Sequence, residues 1–177
     1  GNYTIKKYSF FLVDSIPFSF NSDYSFTISD QKTQKLTELD NNVILYQGSV
    51  SEYPDYIAQG TDFEKVTLVV DNILDPDDNG RFIADDTVSV YVKEAGSGLY
   101  YEYSEVDSLY IKDNTSRCYE KRLNENGHFE IKFGDGTSGK KLTTGDVVSI
   151  NYILSDGQRG IISTNAINGN KLFVYDS

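Results

Sequence analysis

The chain has 177 residues, with 16 basic and 27 acidic side chains and a formal net charge of −11 at pH 7. That balance argues against a basic face for nucleic acid or for an anionic membrane. Apolar residues make up 38 % and charged residues 24 %, the composition of a soluble globular domain, and a chain of this length removes roughly 70 % of its unfolded surface on folding. No apolar run approaches the roughly 20 residues of a membrane helix. Tyr8–Val13 is too short for one and stands too far from a cleavage pattern to be a signal peptide.

Fourteen tyrosines and ten phenylalanines beside scarce alanine favour strands over helices. In chain order the expected strands are Lys6–Val13, Asp23–Ile28, Asn42–Ser51, Lys65–Asp71, Thr87–Lys93, Tyr100–Ser104, Ser108–Lys112, His128–Phe133, Val147–Leu154 and Lys171–Tyr175. Thr87–Lys93 is among the cleanest, with Val88, Val90 and Val92 on one face. Only Ser51–Asp62 reads as a place for a helical turn or two, with Pro54 near its start. The expected class is mainly β: antiparallel strands in a sandwich-like or mixed sheet arrangement, with at most short helical segments. Residues 1–40 read as an N-terminal β segment plus a polar linker, Ser29–Asp40, and residues 41–177 as the main β domain. A start at Gly1 and the lack of any methionine read as a fragment of a longer polypeptide.

Phe129, Ile131 and Phe133 alternate with Glu130 and Lys132, the pattern of a strand with one buried face. Gly134, Gly136 and Gly139 then call for a tight turn. Val148, Ile150, Tyr152 and Leu154 mark a second strand, and the two strands are expected to pair antiparallel around the loop. Gly134–Lys141 also reads G-x-x-x-x-G-K-K, near a phosphate-binding loop. That loop needs a Ser or Thr hydroxyl for Mg²⁺ where Lys141 stands, and a helix whose amides cradle phosphate, where a strand pattern follows instead. Lys140 is expected to be a solvated turn residue.

Other chemistry is weaker. Asp75-Pro-Asp77-Asp78-Asn79-Gly80 matches the first half of a calcium loop, but position twelve is Asp86 and the flanks read as strands. Asp85, Asp86, Glu130 and Asp135 are candidate carboxylates for glycoside hydrolysis, though no spacing fixes two of them at a catalytic separation. Tyr100, Tyr101 and Tyr103 form the one tyrosine cluster, and cross-strand packing accounts for it better than sugar stacking. Cys118 is the only cysteine and His128 the only histidine, so the thiol reads as structural.

The order Ile131-Lys-Phe133-Gly134-Asp135-Gly136, Gly139, Gly145, Val148-Ser-Ile150-Asn-Tyr152, Gly157 and Gly160 resembles the signature of the baseplate J-like proteins. Upstream, Val43-Ile-Leu-Tyr46-Gln47-Gly48 is similar to the family's strand ending in Gln/Glu-Gly. The likeness runs from about Asn42 to Ile161; Ile161 departs from it, since the family often has Asn there. The family includes the baseplate wedge proteins of T4-like contractile-tailed bacteriophages. The resemblance implies a virion structural component of the tail baseplate, assembled in the host bacterial cytoplasm. It implies no catalytic, cofactor-binding or metal residues, and no nucleic acid, membrane or small-molecule partner. It implies self-association, as a homodimer or ring, and contacts with other wedge proteins. Gly134, Asp135, Gly136, Gly139, Gly145, Tyr152, Gly157 and Gly160 then form a structural turn motif. The competing expectation is an extracellular glycan- or calcium-binding β module. For association, the apolar end strands Lys6–Val13 and Lys171–Tyr175 are the expected edges, in an interface of roughly 1,200 Å² or more.

Overall fold

The computed structural model describes residues 2–27, 43–70, 80–163 and 166. The protein is mainly β, and among the described residues three short 3-10 turns stand at Asp85–Thr87, Leu109–Ile111 and Gly157–Gly160. Among the described residues no helix is long and apolar enough to cross a membrane. The chain forms two compact units, each assembled from separated stretches: residues 1–51, 73–87 and 152–177 in the first, 52–72 and 88–151 in the second.

In the first unit, β1 (Asn2–Ile5) pairs antiparallel with β4 (Tyr24–Thr27). Strands β2 (Phe10–Val13), β3 (Ile16–Phe20) and β5 (Leu45–Gln47) form a three-stranded antiparallel sheet in the order β2-β3-β5. Val13 pairs with Ile16, so Asp14 and Ser15 alone make the β2–β3 turn. Both have positive φ, 50° and 69°, which matches the right-handed twist of the flanking strands. Phe20 is the centre of this unit's aromatic core, touching Phe11 at 6.0 Å and, edge-on, Tyr24 at 5.7 Å between ring centroids. A short β8 (Phe82–Ile83) pairs with Leu154 and Ser155. Buried Thr87 locks this junction: its hydroxyl donates to the Ala84 carbonyl at 2.6 Å and accepts the Ile153 N–H at 2.9 Å.

The second unit is built on one mixed sheet. Its strands are β6 (Ser49–Ile57), β7 (Lys65–Leu68), β9 (Ser89–Lys93), β10 (Tyr100–Glu105), β11 (Cys118–Leu123), β12 (Phe129–Lys132) and β13 (Val147–Ser155), in the order β6-β13-β9-β10-β11-β12-β7. The first residues of β6 and the last of β13 belong to the first unit. β10 and β11 run parallel, while β9 pairs antiparallel with β10 and β13, and β12 with β11 and β7. Val88, Val90, Val92, Ile131, Phe133, Val148 and Ile150 are buried, as their alternation predicts.

Four expectations need correction. Ser51–Asp62 is no helical turn: Ser49–Ile57 is a strand at the end of the sheet, where Pro54 is tolerated because an outward-facing N–H is not needed for pairing. Ser108–Lys112 is no strand: Leu109 is fully buried, Ile111 is 76 % exposed, and a 3-10 turn runs between them. Asn42–Ser51 is broken at Gly48, whose φ of 134° separates β5 from β6. The strands on either side of the glycine loop do not pair: β12 lies between β11 and β7, and β13 pairs with β9 instead. Strands β1, β3, β8 and β11 lie outside the expected set. The expected linker Ser29–Asp40, the strand Lys171–Tyr175 and the start of the acidic loop, Asp75–Asn79, lie outside the described residues.

Candidate functional site

The glycine loop follows β12 in the second unit and turns back on itself, with a parallel bridge between Gly134 and Lys141. Its amides are the natural place to look for a bound anion, and those of Gly136 to Lys140 are already occupied. Asp135 Oδ1 accepts the N–H of Thr137 at 2.8 Å and of Ser138 at 2.7 Å. Gly136 N–H donates to the Gly139 carbonyl, Gly139 N–H to the Lys112 carbonyl, and Lys140 N–H to the Ser116 carbonyl. The hydrogen bonds from Ser138 and Thr137 hold the Asp135 carboxyl below its usual pKa. The loop therefore carries its own anion, in the position where a nucleotide loop presents amides to phosphate.

The two lysines after Gly139 are also committed to carboxylates. Lys141 pairs with Asp62 at 2.6 Å. Lys140 pairs with Glu94, and so does the Arg117 guanidinium, through Nε at 2.8 Å and Nη2 at 3.4 Å. The expected solvated Lys140 is thus corrected: Glu94 draws it down because one fork from Arg117 does not exhaust a carboxylate's acceptor sites. Arg117, then Lys140, hold Glu94 below its ordinary pKa against the opposing effect of burial. Arg117 also lies 3.7 Å from the centroid of the Tyr101 ring. Tyr101 and buried Tyr103 share one face of β10, while Tyr100 and Glu102 are exposed on the other, so the tyrosine cluster serves packing and a cation–π contact.

This triad yields a graded expectation. Lys140→Ala leaves the Arg117 fork in place and is expected to cost below about 1 kcal/mol. Arg117→Ala removes the fork and the stack on Tyr101 together and is expected to cost about 1–2 kcal/mol. Urea denaturation of both variants checks the order; equal losses, or a larger loss for Lys140→Ala, would contradict it.

Two more carboxylates hold loops of the second unit in the same way. Glu64, 5 % exposed, accepts the N–H groups of Gln59, Gly60 and Thr61 at 2.6–3.0 Å and the Tyr56 hydroxyl at 2.7 Å. Buried Asp146 accepts Ala95 N–H and Thr143 N–H, each at 2.8 Å. Glu94 stands in no pattern that marks it in the sequence, whereas Glu64 follows Thr61 at the S/T-x-x-E spacing and accepts its N–H. Asp146 does carry a faint signal, an acid directly after the turn glycine Gly145. An open depression of about 270 Å³ lies beside this region, lined by Gly60, Lys141, Leu142, Thr143 and Thr144, slightly below the usual range of a small-molecule pocket.

The remaining signature residues, Tyr152, Gly157 and Gly160, belong to the first unit. There Gln47 holds the chain after β13. Its Oε1 accepts the Ser155 hydroxyl at 2.7 Å and Asp156 N–H at 3.1 Å, and its Nε2 donates to Asp156 Oδ2 at 3.2 Å. A Cβ on Gly160 would stand 2.1 Å from Gln47 Cδ, and one on Gly48 would stand 2.4 Å from the Leu154 carbonyl oxygen. The Gln47-Gly48 pair thus meets the Gly157–Gly160 stretch, although more than a hundred residues separate them.

The other candidates are dispersed. Asp86 accepts the Tyr46 hydroxyl in the first unit, while Glu130 pairs with Lys65 at 2.8 Å in the second. Cys118 Sγ lies 3.5 Å from the Ser116 carbonyl oxygen, and burial raises its pKa, which keeps it a thiol. Among the described residues no group of three or more His, Cys, Asp or Glu side chains is placed to hold a metal ion. No protein-family model matches the chain, and comparison with curated proteins and with solved structures gives no match.

Proposed function

We propose that the chain is a structural module of a phage tail baseplate wedge, which self-associates and contacts neighbouring wedge proteins in the virion. One observation carries this reading: the polar groups of the signature are spent on the protein's own backbone. Asp135 binds Thr137 and Ser138, and Gln47 binds Asp156. A module whose signature fixes loop shape, and leaves no amide cradle for phosphate, works through the surface it presents. The meeting of Gln47-Gly48 with Gly157–Gly160 supports it further, because the two ends of the resemblance form one interlocked corner.

Immunogold labelling tests the reading. Antibodies raised against this chain are expected to label contractile-tailed particles from the source culture at the end of the tail that bears the baseplate. Label on capsids, or on cell surfaces without particles, would overturn it.

A further inference from the structure

We infer that the outer edge of β2 pairs antiparallel with the same edge of a second copy of this chain; the inference rests on the self-association in the reading above and names its surface.

β2 ends the three-stranded sheet, and among the described residues no strand pairs with its outer side. The backbone there points outward at defined positions. Pro17 of β3 stands opposite Leu12 and has no N–H, and its carbonyl accepts Gly48 N–H at 2.9 Å, on the side away from β2. Leu12 therefore exchanges no ladder bonds with β3, and its own N–H and C=O face the open edge. Phe10, two residues earlier, has the same orientation. The residues that offer these free backbone groups also carry the exposed apolar side chains: Phe10 is 62 % and Leu12 56 % exposed. Phe11 and Val13 face the other way, with Val13 buried and Phe11 stacked on Phe18 at 6.1 Å.

The pattern is self-complementary. A two-fold antiparallel pairing sets Phe10 opposite Leu12 of the second copy, Leu12 opposite its Phe10, and Phe11 opposite its Phe11. The outward donors and acceptors then meet in hydrogen-bonded pairs, and each exposed ring meets an exposed leucine on the same face. Charge agrees. Lys6, paired with Asp23 at 2.9 Å, and Lys7 precede the strand, a net basic end, and Asp14 follows it, so an antiparallel partner brings its acidic end to this copy's basic end. The net charge of −11 disfavours contacts that lack such a match. Phe10–Val13 also lacks the lysine or proline that commonly blunts an exposed edge. A strand this short buries less than a standard interface of about 1,200–2,000 Å², so the dimer is weak and depends on concentration.

Sedimentation equilibrium over a wide concentration range tests this. The wild-type mass is expected to rise from 19.9 kDa toward twice that value, and Leu12→Lys to stay at the monomer mass with an unchanged melting temperature. If Leu12→Lys does not fold, hydrogen exchange of the wild type decides. The Phe10 and Leu12 amides are expected to exchange more slowly as concentration rises, while the Thr4 amide does not. A wild type that stays monomeric, concentration-independent exchange at Phe10 and Leu12, or a folded Leu12→Lys that still dimerises would each overturn the proposal. None of these results touches the immunogold test, whose failure would remove the baseplate reading and leave an edge-paired dimer standing.

Discussion

Replacing Gly134 by alanine is expected to cost about 3 kcal/mol, or roughly 6–12 °C in Tm for a chain of this size. A Cβ there would lie 2.3 Å from both the carbonyl carbon and oxygen of Gly139 and 2.6 Å from the Ser138 carbonyl oxygen. These are backbone atoms, so no rotamer change relieves the overlap; the loop itself must open, and the Thr137 and Ser138 bonds to Asp135 open with it. Gly136 makes the useful contrast. Its φ is +88°, but the nearest heavy atom to an added Cβ is Lys141 Cβ at 3.5 Å. Gly136→Ala therefore meets conformational strain without a clash and is expected to cost about 1–2 kcal/mol. Thermal denaturation of the two variants separates the causes. A Gly134→Ala protein that melts within a degree or two of wild type would mean that the close approach is not needed.

The second large effect is expected at Glu64. Glu64→Ala strips partners from three loop amides and one tyrosine hydroxyl at a buried site, for a loss of about 4 kcal/mol. Acidity should reproduce part of it. Burial alone raises the Glu64 pKa, but the Gln59 amide, the Tyr56 hydroxyl and the Thr61 and Gly60 amides outweigh it, so the folded value lies below the ordinary 4.5. A depressed carboxyl pKa contributes stability in full above the unfolded value and loses it as pH falls through the folded one. Glu94, held low by Arg117 and Lys140, acts in the same direction. Wild-type stability is thus expected to fall below about pH 4.5, and to fall less steeply in Glu64→Ala, which has one such group fewer. Equal slopes in urea titrations at several acid pH values would count against this role.

Much of the sheet was legible because burial leaves a period of two. Val88, Val90 and Val92, and Phe129, Ile131 and Phe133, alternate with polar neighbours and form strands where that alternation places them. The reading failed where a polar group is buried or an apolar one exposed. β11 reads Cys-Tyr-Glu-Lys-Arg-Leu, and its Tyr119 and Glu120 are both buried although adjacent. Glu120 is tolerated inside because Leu109 N–H and the Arg122 guanidinium approach its carboxylate at 2.8 and 3.1 Å. Arg122 stands two residues away on the same strand, but nothing local announces the Leu109 N–H, eleven residues earlier on a 3-10 turn. Leu109 and Ile111 imitate a strand by spacing alone, yet one lies in the core and the other in solvent. β3 was hidden by Pro17, a residue that demotes a strand until its neighbours are known. In the loop, Gly134 and Gly136 were visible as a turn, whereas the tie from Glu94 to Lys140 was not, because it links an acid after β9 to a residue far along the chain.

The use of carboxylates as anchors for amides also governs how the protein meets its ionic surroundings. A mobile ion atmosphere weakens attractions between solvated charges over distances near the Debye length, about 8 Å at physiological ionic strength. It has little access to a buried oxygen in contact with an N–H group, as at Glu64 and Asp146. The same atmosphere does relieve repulsion among the excess of negative charges. Salt therefore acts on the exterior of this molecule, exposed ion pairs such as Lys141–Asp62 included, while the loops held by Glu64 and Asp146 keep their shape.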